Sequence, residues 1–122
     1  GVDGEMSVQA DRRQLKQVMS NLFQNAIDAM DASGEIRLRT DLVKKGDSSY
    51  CRIQIEDTGP GIDADHREEI FDPYFTTKGH GTGLGLAIVE RIIFDHDGQI
   101  WFESERNIGT TFFIDLPAEL QQ

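Results

Sequence analysis

A single cysteine, Cys51, excludes any internal disulfide, and its place in the apolar phase of a strand-like segment reads as a plain buried thiol. No apolar run reaches the ~20 residues that a membrane span requires, and the opening Gly1-Val2-Asp3-Gly4 has no signal-peptide character. Basic side chains are also scarce: 12 Lys and Arg stand against 22 Asp and Glu, a net charge of −10. Such a surface repels nucleic acid and anionic lipid, so neither is expected as a direct partner. The three histidines, His66, His80 and His96, do not fall at metal-ligand spacing. There is no internal repeat and no low-complexity stretch. These absences are compatible with a cytoplasmic setting, with any membrane anchor carried elsewhere in a longer parent.

What remains is a chain of 122 residues, 38% apolar, long enough for one domain spanning 1–122 with a real core. Residues 5–9 suggest a short strand. Asp11 with Gln14 three positions later resembles a capping box, opening a helix that runs to about Asp31. Its apolar residues Leu15, Val18, Met19, Leu22, Phe23, Ala26, Ile27, Ala29 and Met30 recur at helical spacing. Two strand-like runs, 35–43 and 49–57, flank a polar turn at 44–48 and read as a hairpin. A short helical turn is expected near 65–70, a second long helix from about Gly83 to Asp95, and a terminal hairpin from 99–105 and 110–116. Two long helices, a minor third and about five strands, without β-α-β alternation, predict an α+β two-layer sandwich.

Between Lys78 and Ala87 the sequence is Gly79-His80-Gly81-Thr82-Gly83-Leu84-Gly85-Leu86, followed directly by an apolar helical run. Glycine lets backbone N–H groups approach an anion closely, and a helix start adds unpaired donors, so the run suits a phosphate cradle. Flexible linkers also alternate glycine. The flanking Phe71-Asp72-Pro73-Tyr74-Phe75 and the apolar helix are not linker-like.

Strand phase aims a carboxylate inward: Cys51, Ile53 and Ile55 share a face, and Asp57 continues it. A buried carboxylate needs a donor, from a turn it caps or from a ligand such as the exocyclic amine of adenine. Gly59 and Gly61, around Pro60 and before Ile62, let backbone pass close to a flat ring. On the first helix Asn21 and Asn25 lie one turn apart. They are either hydrogen-bonding helix asparagines or carbonyl ligands for a hard cation such as Mg²⁺, whose remaining ligands are water and phosphate. Taken together, the inward Asp, the asparagine pair and the glycine cradle are the base, metal and phosphate parts of one nucleotide site.

These segments resemble the boxes of sensor histidine kinases. Residues 17–30 are similar to the N box, 57–62 to G1, 70–78 to the F box, 81–86 to G2, and 109–112 with Leu116-Pro117 to the closing G3 region, in family order. The resemblance implies the Bergerat (GHKL) fold, a mixed sheet of about five strands on about three helices, and the ATP-binding catalytic domain of a two-component kinase. The Phe-Thr-Thr-Lys spelling at 75–78 is most similar to the nitrogen-regulatory sensor subgroup.

By that resemblance Asp57 accepts from adenine N6, Gly59, Gly61 and Ile62 shape the base wall, and Thr110 assists. Asn25 holds Mg²⁺, and Asn21 supports the phosphate side. Thr77, Gly81, Thr82, Gly83, Leu84, Gly85 and Leu86 cradle the nucleotide, and Lys78 is a candidate phosphate cation. ATP and ADP are the implied ligands. The implied protein partners are a histidine-containing dimerisation domain and, through the full-length protein, a response regulator receiver domain.

Two departures matter. ATP hydrolases of the wider superfamily carry a glutamate base one turn before the metal asparagine, where this chain has Asn21, so phosphoryl transfer is favoured over hydrolysis. Asp28 stands where many family members have a basic residue. None of the three histidines resembles the family's phosphoacceptor, so the acceptor is expected on a separate domain. A serine kinase of the same superfamily and a non-catalytic ATP-gated module are the alternatives.

Overall fold

The computed structural model describes residues 5–30, 33–73 and 84–121. Strand β1 (Glu5–Val8) leads into helix α1 (Arg12–Met30), and strands β2 (Ile36–Lys45) and β3 (Ser48–Asp57) form a hairpin. A 3-10 turn at Ala64–His66 precedes helix α2 (Gly85–Asp95), and β4 (Gln99–Glu105) and β5 (Gly109–Gln121) close the chain.

The expected five strands are present, and every described pairing is antiparallel, so strand directions are not mixed. Parallel neighbours arise where a helix joins adjacent strands. Here α1 joins β1 to β2 and α2 follows β3 before β4, and neither pair of strands is adjacent. Strand β5 is the spine. One edge pairs with β3, and the other takes β4 along its first half and β1 at its end. Among the described residues there are two α-helices; the expected third is the three-residue 3-10 turn, which contributes no buried side chain. The β2–β3 hairpin also differs from expectation, because both strands extend to leave a two-residue turn, Gly46-Asp47. Lys45 stays in the ladder because its ammonium reaches Asp115 at 2.7 Å.

Both helices lie on one face of the sheet. Val18 and Leu22 from α1 and Val89 and Ile93 from α2 meet Ile55, Phe112, Ile114 and Leu116 in a closed core. Phe71 packs edge-on to Phe112 at 6.3 Å and serves that core. On the opposite face Asp115 is fully buried, gripped by Arg52 at 2.8 and 2.9 Å and by Lys45, beneath the stacked rings of Trp101 and Phe113. Burial alone pushes the Asp115 carboxyl up, but the hydrogen bonds and charges of Arg52 and Lys45 outweigh it and hold it below the ordinary aspartate value.

The start of α1 realises half of a capping box. Asp11 Oδ1 accepts the Gln14 N–H at 3.0 Å. The Asp11 N–H, which a full box would hand to the Gln14 side chain, goes instead to His96 Nε2 at 3.0 Å. An amide only donates, so Nε2 is the bare nitrogen, and Nδ1 carries the proton toward the Ile92 carbonyl at 2.8 Å. His96 thus ties the end of α2 to the beginning of α1.

Candidate nucleotide site

Three inward positions at one end of the sheet are polar where the preceding rows are apolar. Ile55 pairs with Phe112, and Phe112 with Phe102; one step further along, Asp57 pairs with Thr110, and Thr110 with Ser104. Asp57 and Thr110 are only 4% and 5% exposed. The Asp57 carboxylate accepts the backbone N–H groups of Gly59, at 2.9 Å, and of Thr110. Burial still raises its pKa above the ordinary value, more than those two hydrogen bonds lower it. The inward aspartate read from strand phase is therefore a buried carboxylate held at a cost, with acceptor capacity beyond its two backbone donors.

The loop after Asp57 is pinned on two sides. Gly59 lies close to the Ala29 carbonyl at the end of α1, where the Thr58 hydroxyl also contacts the Met30 sulfur at 3.7 Å. On the other side Asn107 N–H donates to the Pro60 carbonyl at 2.7 Å, and Ile62 N–H donates to Ser104 Oγ at 2.7 Å. Gly61 has φ +83°, and a Cβ there would stand 2.6 Å from the Glu105 carbonyl oxygen. Positive φ and the close approach both require glycine. Gly109 sits directly against the Asp57 carbonyl, where a side chain would collide with backbone.

Helix α1 leads from this loop toward α2. Ala29 touches Gly59, Asn25 lies one turn back, and Asn21 one turn further, a span of about 12 Å at 1.5 Å per residue. The Asn21 amide donates to the Gly85 carbonyl at 3.2 Å and its oxygen accepts from Gln17 at 2.8 Å. The asparagine face of α1 therefore abuts the first residue of α2. That helix starts with no side-chain cap and no acid in its first turn, leaving N–H groups without intrahelical acceptors. Leu84 is its N-cap residue, and Leu86 packs on the core. Asn25 is half-buried and makes no side-chain hydrogen bond among the described residues. Asp28 is exposed and accepts from Gln24 at 2.9 Å.

Of the residues expected from sequence, Asn21, Asn25, Asp57, Gly59, Gly61, Ile62, Leu84, Gly85, Leu86 and Thr110 are described, along the path just traced. Thr77, Lys78, Gly81, Thr82 and Gly83 lie outside the described residues. Ser104 and Asn107 were not anticipated. Ser104 carries the same signal that exposed Asp57, a polar residue in the inward phase of a strand, after Ile100 and Phe102. Among the described residues no cluster of three His, Cys, Asp or Glu side chains is placed to hold a metal. A single amide oxygen at Asn25 fits Mg²⁺, which keeps several waters and binds through substrate phosphates.

The chain belongs to the histidine kinase-, DNA gyrase B- and HSP90-like ATPase family, whose model matches residues 10–120. Its relatives place it with the catalytic domains of sensor histidine kinases. It is 47% identical over 121 residues to the signal transduction histidine-protein kinase AtoS of Escherichia coli, covering 98% of this chain and 19% of that protein. The catalytic domain of histidine kinase ThkA, solved nucleotide-free, superposes with a TM-score of 0.77 at 42% identity, over 90% of this chain and 70% of that one. Full-length ShkA, solved with AMPPNP, gives 0.82 at 30% identity, over 96% of this chain and 24% of that one. The chain thus spans about a fifth of the length of AtoS. Among the described residues no helix is long and apolar enough to cross a membrane.

Proposed function

We propose that this domain binds ATP with Mg²⁺ and delivers the γ-phosphoryl group to a histidine on a separate dimerisation domain, in a cytoplasmic setting. The observation that carries this reading is the hydrogen bond from Asn21 to the Gly85 carbonyl, which joins the asparagine face of α1 to the uncapped start of α2 while the far end of α1 meets the Asp57 loop. In this reading the residues assigned to the base, the metal and the start of the phosphate segment follow one path along α1. The ShkA complex with AMPPNP, an ATP analogue, supports the same ligand class.

In this reading Asp57 accepts a hydrogen bond from the adenine amino group, and Gly59, Gly61 and Ile62 form the wall beside the ring. Asn25 holds Mg²⁺, which neutralises phosphate charge when bound. The backbone from Gly81 to Leu86 cradles phosphates with Thr77, and Lys78 adds a cation. The acceptor imidazole nitrogen attacks the γ-phosphorus, the bond to the β,γ-bridging oxygen breaks, and ADP leaves; the imidazole proton passes to a base beside the acceptor. The chain's own contribution is positioning and charge neutralisation. Asn21 cannot take a proton from water, and its amide is already engaged by Gln17 and Gly85, so hydrolysis is disfavoured. In the full-length kinase the phosphoryl group would pass on to a receiver domain.

The test is to mix this domain with the dimerisation domain of the same kinase and labelled ATP. An acid-labile label on the acceptor is expected, with phosphate release by the domain alone at background. An acid-stable serine label, or no label despite bound ATP, overturns the proposal.

A further inference from the structure

Ser104 stands at the third position of the inward polar row, and its hydroxyl meets three partners. Ile62 N–H donates to Oγ at 2.7 Å, Oγ lies 3.3 Å from the Gly109 carbonyl, and the Thr110 hydroxyl is 2.9 Å away. Two of these partners have a fixed sense. A backbone N–H only donates, so it occupies one Oγ lone pair; a carbonyl only accepts, so it draws the single Oγ proton. What remains for Thr110 is the second lone pair. The arrangement that satisfies all three contacts at once has the Thr110 hydroxyl donating to Ser104, which leaves the Thr110 oxygen lone pairs for other partners. Thr110 is directly opposite Asp57 on the same face of the sheet, so the two side chains are neighbours.

We propose that Ser104 is a positioning residue for base selection: by accepting the Thr110 hydroxyl hydrogen bond it makes Thr110 an acceptor beside the Asp57 carboxylate, so that two acceptors meet the exocyclic group of the base. Adenine offers two N–H groups on its exocyclic amine. Hypoxanthine presents a carbonyl oxygen at that position and meets acceptors; its ring N1–H is a donor that adenine lacks, so the discrimination is carried at the exocyclic position. The same hydroxyl, through Ile62, holds the wall loop against the β4–β5 hairpin, and Arg67 reinforces it by donating to the Ser104 carbonyl. This inference rests on the adenine site proposed above.

The experiment measures Mg²⁺-dependent binding of ADP and IDP to the wild-type domain and to Ser104→Ala, Ser104→Thr, Thr110→Val, the Ser104→Ala/Thr110→Val double variant and Asp57→Asn. The wild type is expected to prefer ADP. Ser104→Ala is expected to shrink that preference about tenfold, the scale of one lost hydrogen bond, mainly by weakening ADP. Ser104→Thr, which keeps the hydroxyl, retains the preference. Thr110→Val abolishes the same increment, and adding Ser104→Ala to it changes the ratio no further. If Ser104→Ala weakens ADP and IDP equally, or leaves both unchanged, the hydroxyl does not act through the base and the proposal is overturned. The adenine assignment fails separately, if Asp57→Asn binds ADP as the wild type does. Thr110→Val keeps the test decisive if Ser104→Ala does not fold.

Discussion

Asp57 is 4% exposed, and burial raises its carboxyl pKa more than its two backbone hydrogen bonds lower it. With the folded pKa above the unfolded value, the native state is penalised at neutral pH and relieved as pH falls through the folded value toward the unfolded one. Asp57→Asn is therefore expected to raise the thermal midpoint of the nucleotide-free domain at neutral pH and to remove that part of its acid dependence. The same change should weaken ADP binding about ten- to a hundredfold, because a hydrogen bond to a charged acceptor is lost. Calorimetric titration paired with thermal melts checks both. A variant that loses affinity without gaining stability would refute the burial argument while leaving the adenine contact intact. Asp57 was readable from the sequence because strand alternation has a period of two and a carboxylate in the apolar phase is conspicuous. Ser104 carried the same signal more faintly, since a small hydroxyl on an inward phase is common and its role depends on Ile62 and Thr110, distant in sequence.

The elements were legible to the extent that their periodicity is local. Both long helices, the two hairpins and β1 match the apolar pattern to within a few residues, except that β5 runs on from the expected Leu116 to Gln121, where it pairs with β1. What pattern could not supply were contacts between elements. A full capping box gives the Asp11 N–H to the Gln14 side chain, yet His96 from the end of α2 takes it. Lys45 and Ser48 read as turn residues, yet both join the ladder. Replacing His96 by Ala is expected to cost about 1 kcal/mol in urea unfolding, the scale of one capping hydrogen bond, without changing nucleotide discrimination. Asp115 is more demanding. Its folded pKa is depressed, so its contribution is present above the ordinary aspartate value and lost as pH falls through the folded one. Asp115→Asn should destabilise the domain by about 3 kcal/mol at neutral pH, since it strands Arg52 and Lys45 beside the rings of Trp101 and Tyr50. It should also flatten the acid limb of the unfolding curve; a limb that keeps its steepness would assign acid sensitivity to other carboxylates.

At the scale of the molecule, a net charge of −10 opposes a polyanionic ligand, so nucleotide affinity depends on local compensation. Chelating Mg²⁺ is expected to weaken ADP binding at least about tenfold at low salt, and added salt should narrow the gap by screening the repulsion. A gap that stays fixed from low to high salt would show that overall charge is irrelevant to binding. The sheet adds a different asymmetry. From Thr110 to Asp115 strand β5 is paired on both edges, with β3 and with β4, whereas α2 begins without a cap. Amides that open only with the whole fold exchange last, and those at an uncapped helix end exchange early. Timed by deuterium uptake, the two ends of the proposed site should run on different clocks. Thr110, at the base end, waits for global unfolding, while the first turn of α2, at the phosphate end, exchanges within the folded state. A nucleotide would then find its base socket already set and do its slowing at the other end, where bound phosphate should lengthen exchange times most.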